Sequence, residues 1–233
     1  NNATKFLQYI TEGKKSYLAT IRLGQSTTTD DREGDVIESS DCNSVTDEAI
    51  RSFLASQVGT ILQKPSKVSA IKIAGERAYD LVRQGKEVDI PAREVIIYSL
   101  EVNSIVRGEF LDIDITVQCS AGTYIRSIAR DLGDALHVGG HLIALRRTEV
   151  APFYEKEAQS LDECEIRPLV SSISQIMPTR SIDFAEKSEL SFGRALSKSD
   201  FEGPGVAISP DGAVAAIIEN RDYGAQPLAV FNS

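Results

Sequence analysis

The stretch Cys119-Ser120-Ala121-Gly122-Thr123-Tyr124-Ile125-Arg126-Ser127-Ile128-Ala129-Arg130-Asp131-Leu132-Gly133 decides how this chain is read. Just ahead of it, Leu111, Ile113, Ile115, Val117 and Cys119 alternate with Asp112, Asp114, Thr116 and Gln118. A strict period of two means a strand with one face in a core and the other in water. Ser120, Ala121 and Gly122 then break the strand. Beyond them Ile125, Ile128, Ala129, Leu132, Ala135 and Leu136 recur at helical spacing, which predicts a helix that buries them. The turn between strand and helix delivers Tyr124 and Arg126, two residues apart, at the first turn of that helix.

Working outward, Tyr17, Ala19, Ile21 and Leu23 share one face of a strand over 16–24. Residues 95–106 and 109–119 read as paired strands around Arg107-Gly108, and Leu142–Val150 as another strand after Gly139-Gly140-His141. Residues 25–45 are polar and read as a loop. A helix is expected from Thr46, an acceptable N-cap, with an apolar stripe of Ile50, Phe53, Leu54 and Val58; Pro65 prevents much extension beyond it. A short helix is expected near 76–84. Periodicity fades between 163 and 180, so two domains are expected, 1–168 and 169–233. In the second, Val206–Ser209 and Ala213–Glu219 form a hairpin through Pro210-Asp211-Gly212. Strands and helices interleave without a βαβ rhythm, which predicts an α+β fold with a largely antiparallel sheet.

Composition excludes several classes. No apolar run approaches the ~20 residues of a membrane helix. Cys42, Cys119 and Cys164 have spacings that suit neither a zinc site nor a disulfide framework, which points to a reducing, cytoplasmic compartment. There is no P-loop, no glycine-rich dinucleotide turn and no Ser-His-Asp arrangement. The formal net charge of −9 counts against nucleic acid, whose phosphates are bound electrostatically. The charge is uneven, however: residues 61–93 carry seven bases against four acids, while 28–48 are acid-rich. A local basic face can bind RNA on an acidic protein, though composition does not establish that one does.

Several segments, in order, resemble the motif blocks of TruB-type tRNA pseudouridine synthases. They are Ala3-Thr4-Lys5-Phe6; Lys15-Ser16-Tyr17 with Arg22-Leu23-Gly24-Gln25-Ser26-Thr27-Thr28-Thr29-Asp30-Asp31-Arg32-Glu33-Gly34; and Pro65–Lys72 with Gly75–Tyr79 and Arg83-Gln84-Gly85. Gly122–Gly133 and His141–Arg147 complete the set, which spans residues 3–150. The resemblance implies isomerisation of a uridine in the T loop of tRNA (uridine 55) to pseudouridine, without cofactor or metal. It implies the pseudouridine synthase fold, a small β-rich PUA-like C-terminal domain, and a cytoplasmic monomer whose partner is the T-arm stem-loop.

The resemblance also assigns roles. Arg126 partners the catalytic carboxylate, since a guanidinium beside an aspartate holds it ionised and aimed. Tyr17 stacks on the extracted base and helps to remove its C5 proton; an aromatic face holds a uracil whichever edge it presents. Tyr124 and Leu145 line the pocket, although for Leu145 ordinary core packing has the same sequence signature. Lys72, Arg77, Tyr79 and Arg83 grip the RNA backbone, and Arg146 and Arg147 face RNA, against the plain alternative of solvated basic faces. His141 reads as a packed, hydrogen-bonded histidine. Asp30 and Asp31 match a loop of the family and not its nucleophile.

The family's nucleophile sits in a segment resembling GGTLDPxATGxL, ahead of ATKF. Residues 1–233 contain no such segment, so the chain by itself is expected not to catalyse the reaction. The alternative is a non-catalytic RNA-binding or RNA-folding module. The joint presence of Tyr17, Tyr124 and Arg126 disfavours it, because a pure binder has little need of the arginine.

Overall fold

The computed structural model describes residues 2–66, 68, 71–73, 75–84 and 89–231. For Asn2, Lys72, Ile73, Arg77, Tyr79, Val82 and Arg83 it describes the backbone alone. The chain divides into two compact units. One is Gly13–Lys156; the other joins Asn1–Glu12 to Glu157–Ser233. The division therefore falls earlier than the 168/169 boundary expected from sequence, and the first residues group with the last. The physical reason lies in the aromatic pair Phe6 and Phe231, stacked at 5.2 Å between centroids. Lys5 caps that pair, over the Phe231 ring and donating to the Val230 carbonyl at 2.9 Å.

In chain order the elements begin with α1 (Leu7–Thr11), β1 (Lys15–Leu23), β2 (Gln25–Thr27), β3 (Val36–Ser39), α2 (Asp47–Ser56) and β4 (Gly59–Gln63). The two-residue strands β5 (Lys72–Ile73) and β6 (Glu76–Arg77) and helix α3 (Ala78–Arg83) come next. Then come β7 (Arg93–Arg107), β8 (Leu111–Cys119), α4 (Ile125–Ala135), β9 (Gly140–Val150) and β10 (Phe153–Tyr154).

Six strands form one sheet in the order β10-β9-β1-β8-β7-β4, antiparallel throughout. Every apolar residue of the period-two pattern in β8 is buried, and Ala19, Ile21 and Leu23 of β1 join them under α2 and α4. Each Val, Leu or Ile among them contributes about 1.5–3 kcal/mol on burial. The opposite face is polar and internally paired. Asp114 accepts from Thr20 Oγ1 and Ser104 Oγ at 2.7 Å each, and Arg22 forks onto Asp112.

The second unit holds α5 (Leu169–Ile173), β11 (Thr179–Ser181), α6 (Phe184–Ser191), β12 (Pro204–Ile208), β13 (Val214–Arg221) and β14 (Gly224–Val230). Its sheet runs β11-β12-β13-β14, parallel only at β11–β12. The fold is thus α+β with a mostly antiparallel sheet and a small β-rich C-terminal part, as expected. Among the described residues no helix is long and apolar enough to cross a membrane.

Four local expectations are corrected. Residues 25–45 are not all loop: β2 and β3 pair as a hairpin. All four β3 residues are exposed, so it carries no alternation to read. The edge strand β4 was likewise not expected. Ala135 is exposed because α4 ends there, and Val58 lies beyond the end of α2, 44% exposed.

Helix α4 touches β9 backbone to backbone. A Cβ on Gly133 would lie 2.2 Å from the Gly140 nitrogen, and one on Gly140 would lie 2.4 Å from the Ala129 oxygen. Gly133→Ala must therefore push the helix off the sheet. Chemical denaturation should show destabilisation of about 1–3 kcal/mol or more.

Asp114 offers a pH test. Its two hydroxyl donors hold its carboxyl below the usual carboxylate range. A lowered folded-state value adds stability above the unfolded-state value, and that stability is lost as pH falls through the folded one. Asp114→Asn should be less stable than the parent at neutral pH, with the gap closing in acid. Urea unfolding across pH 7 to about 3 reads it directly.

Candidate active site

The turn from β8 into α4 is built by backbone pairing. Gly122 adopts φ +83°, a conformation that favours glycine. The Ser120 N–H donates to the Ile96 carbonyl at 2.8 Å, and the Ile96 N–H donates to Ser120 Oγ at 2.9 Å. Tyr124 takes the N-cap position with an extended backbone and no side-chain cap. Its place is fixed by Gln63, which is 2% exposed. The Gln63 Oε1 accepts from the Tyr124 N–H at 2.7 Å, and its Nε2 donates to the Tyr124 carbonyl at 3.1 Å. Sequence reasoning missed Gln63. The available signal was a single amide closing a short run of apolar residues.

Arg126, two positions into the turn, is surrounded by acceptors. Its Nη1 donates to the Asp31 Oδ2 at 2.8 Å and to the Thr29 carbonyl at 2.9 Å. Its Nη2 donates to the Val68 carbonyl at 2.9 Å. The Asp31 carboxylate is occupied elsewhere as well: its Oδ1 accepts from Thr29 Oγ1 at 2.6 Å and from the Glu33 N–H at 3.1 Å. A carboxylate with both oxygens engaged positions its neighbours and makes a poor nucleophile. This agrees with the sequence reading that Asp31 is a loop residue. Nothing in the residue pattern, however, pointed to its pairing with Arg126.

The next residues of α4 hold the chain that leads toward residues 68–84. Ser127, fully buried, donates from Oγ to the Lys64 carbonyl at 2.9 Å, and Arg130 Nη2 donates to the same oxygen at 2.8 Å. Arg130 also bonds Asp131, whose carboxyl is pushed up by burial against the pull of that arginine.

The Asp30–Arg32 turn lies on β9. The Leu142 N–H donates to the Asp30 carbonyl at 3.0 Å, and the Arg32 N–H donates to the Leu142 carbonyl at 2.8 Å. Between the turn, Arg126 and β9 opens a cleft of about 410 Å³, with Asp31, Arg126, Leu142 and Leu145 among its lining residues. Leu145 is 50% exposed, so it is a wall of the cleft and not a packed core residue.

Tyr17 lies on β1, opposite Arg147 of β9 and one pleat from the Ala19–Leu145 pair. It is half-buried and packs on the sheet core. Burial pushes its phenol up, the largest effect, while a hydrogen bond from Arg147 pulls the other way. Tyr17 is therefore a neutral phenol at neutral pH. Arg146 points outward and is ion-paired with Glu155, so its charge is locally compensated. His141 is buried, with Nδ1 at 3.0 Å from the Gln25 carbonyl, as a packed histidine should be. The side chains of Lys72, Arg77, Tyr79 and Arg83 lie outside the described residues; their backbones form β5, β6 and α3. Among the described residues no cluster of His, Cys, Asp and Glu could hold a metal ion.

Comparison with known proteins identifies the family. Family models described as the TruB family pseudouridylate synthase N-terminal domain, the tRNA pseudouridylate synthase B C-terminal domain, and the tRNA pseudouridine synthase II C-terminal region match residues 1–125, 126–167 and 177–232. The chain is 44% identical over 247 residues to tRNA pseudouridine synthase B of Arthrobacter sp. (strain FB24), covering 99% of this chain and 81% of that one. It is 47% identical over 234 residues to the protein of the same name from Mycolicibacterium paratuberculosis, covering 98% and 79%. Among solved structures, an H/ACA RNP bound to a substrate RNA containing 2′-deoxyuridine superimposes with a TM-score of 0.65 at 19% identity, over 100% of this chain and 70% of that one. A Cbf5–Nop10–Gar1 complex gives 0.61 at 21%, over 100% and 69%. At such identities these two likenesses speak for the fold alone. With the first description matching more than half of its residues and close relatives aligned along nearly its whole length, the chain belongs to the TruB family of pseudouridylate synthases.

Proposed function

We propose that this chain carries the uridine pocket and the RNA grip of a tRNA pseudouridine synthase acting on uridine 55 of the T loop. The observation that carries the reading is the state of Arg126. A guanidinium has five N–H donors. Three are taken by Asp31, Thr29 and Val68. Among the described residues the Nε–H and one Nη2 hydrogen take no acceptor. They are left to receive a second carboxylate at the mouth of a cleft walled by Leu142 and Leu145.

The chemistry asks for that arrangement. The C1′–N1 bond breaks, the uracil turns within the pocket, and a C1′–C5 bond forms. A carboxylate beside C1′ acts as nucleophile or electrostatic stabiliser, and a guanidinium keeps it ionised. The target base must first leave the T loop's stack. Tyr17, with its neutral phenol, supports a stacking platform better than a base that removes the C5 proton unaided. Tyr124 precedes Arg126 and is half-buried at the same turn. Lys72, Arg77, Tyr79 and Arg83 are the proposed RNA grip, joined by Arg147. The carboxylate itself is proposed to come from the family's aspartate segment, which residues 1–233 do not contain.

Tritium release from a T-arm RNA carrying C5-labelled uridine tests the reading. Protein that joins this chain to the family's aspartate segment should release tritium, while residues 1–233 alone should bind the RNA and release none. Absence of release from the joined protein would refute the assignment. In that protein Arg126→Ala should lower turnover by about a hundredfold or more, with T-arm affinity largely kept. Near-normal turnover would remove Arg126 from the mechanism. Lys72→Ala should weaken RNA binding and make the slope of log K against log salt shallower by about one; an unchanged slope would remove Lys72 from phosphate contact.

A further inference from the structure

We propose that Arg130 and Asp30 are a positioning pair for Arg126, a second clamp that sets the orientation of the catalytic guanidinium without touching substrate. The inference rests on the role of Arg126 given above. Arg126 and Arg130 stand one helical turn apart and so share a face of α4. That face meets two consecutive carboxylates. Arg126 Nη1 bonds Asp31 Oδ2 at 2.8 Å, and Arg130 Nη1 lies 3.4 Å from Asp30 Oδ2.

Consecutive residues of an extended chain point their side chains to opposite sides. Asp30 is instead left-handed, at φ +59°. This backbone turn is what brings both carboxylates to one helix face. Aspartate is among the few residues other than glycine that enter this region, where its short side chain can bond locally, and here contacts hold the turn. Asp30 is held from three sides: its N–H donates to Thr27, its carbonyl accepts from Leu142, and its carboxylate faces Arg130.

The Arg130 and Asp30 side chains are 22% and 16% exposed, so their attraction is shielded less than that of a surface pair. Arg130 cannot swing away easily, because Asp131 and the Lys64 carbonyl grip its other donors. The residues on either side of Asp30 supply two of the three acceptors that hold Arg126, the Thr29 carbonyl and the Asp31 carboxylate. Releasing Asp30 therefore loosens the cradle of the catalytic guanidinium.

The test uses Asp30→Asn, Asp30→Gly, Arg130→Met and the Asp30→Asn/Arg130→Met double variant in the protein joined to the aspartate segment. Each single variant should lower kcat for T-arm tritium release by about ten- to a hundredfold, with KM nearly unchanged. The double variant should lose no more than the worse single one. Asp30→Gly matters because glycine accepts the left-handed turn but carries no carboxylate. A wild-type kcat for Asp30→Gly would overturn the pair, as would losses that multiply in the double variant or that fall on KM alone. The guanidinium NMR signals of Arg126 give a readout apart from activity. Its Nη protons should be separately resolved in the parent and averaged by rotation in Asp30→Asn; unchanged signals would overturn the proposal. A parent that releases no tritium would count against the reaction assignment, while these spectra would still decide the clamp.

Discussion

The Arg126 guanidinium ties separate stretches of backbone to the head of one helix. The loop after β2 reaches it through Thr29 and Asp31, and the segment after β4 reaches it through Val68. Charge-assisted hydrogen bonds from Arg126 hold both stretches at this point. Bonds of this kind are about twice as strong as neutral ones and lose most when one partner is removed. Arg130 repeats the device on the Lys64 carbonyl, which also accepts from the neutral Ser127 hydroxyl. The walls of the cleft are thus assembled on α4, and α4 must itself be placed with little tolerance.

Two contacts supply that placement. Gly133 and Gly140 let the helix backbone lie directly on β9, a distance no side chain would permit. Gln63 fixes the other end, pairing its amide with both backbone groups of Tyr124. A buried amide satisfied on both sides specifies one geometry, because any slip leaves a donor or acceptor unpaired. Between these anchors the helix delivers Arg126 beside Leu142 and Leu145.

The sheet and the central helix were legible because their burial is one-sided. Alternation in β8 and the stripe of α4 each survive as a period in the sequence. The β2–β3 hairpin was not legible, since β3 has no buried face. Nor was Gln63, whose partner lies 61 residues away and is a backbone group that no residue identity encodes. Arg126, Tyr17 and Leu145 came from resemblance, and spacing alone could not have separated Leu145 from a core leucine. Asp31 shows the opposite case. Its place in a loop of the family came from resemblance, but its pairing with Arg126 depends on a turn whose left-handed residue, Asp30, leaves no mark in composition. The charge of Arg146 was legible, and its neutralisation by Glu155, set by the β9–β10 hairpin, was not.

Hydrogen exchange at the Arg32 and Leu142 amides is the most direct measure of whether Arg126 organises this cleft. Both amides close the seat of the Asp30–Arg32 turn on β9. If the guanidinium holds the turn, Arg126→Met should lower protection at these two sites by at least about tenfold. Amides in the centre of β8 should keep theirs, since they open only with the core. Unchanged protection at Arg32 and Leu142 would mean that the turn holds itself and that Arg126 merely sits against it.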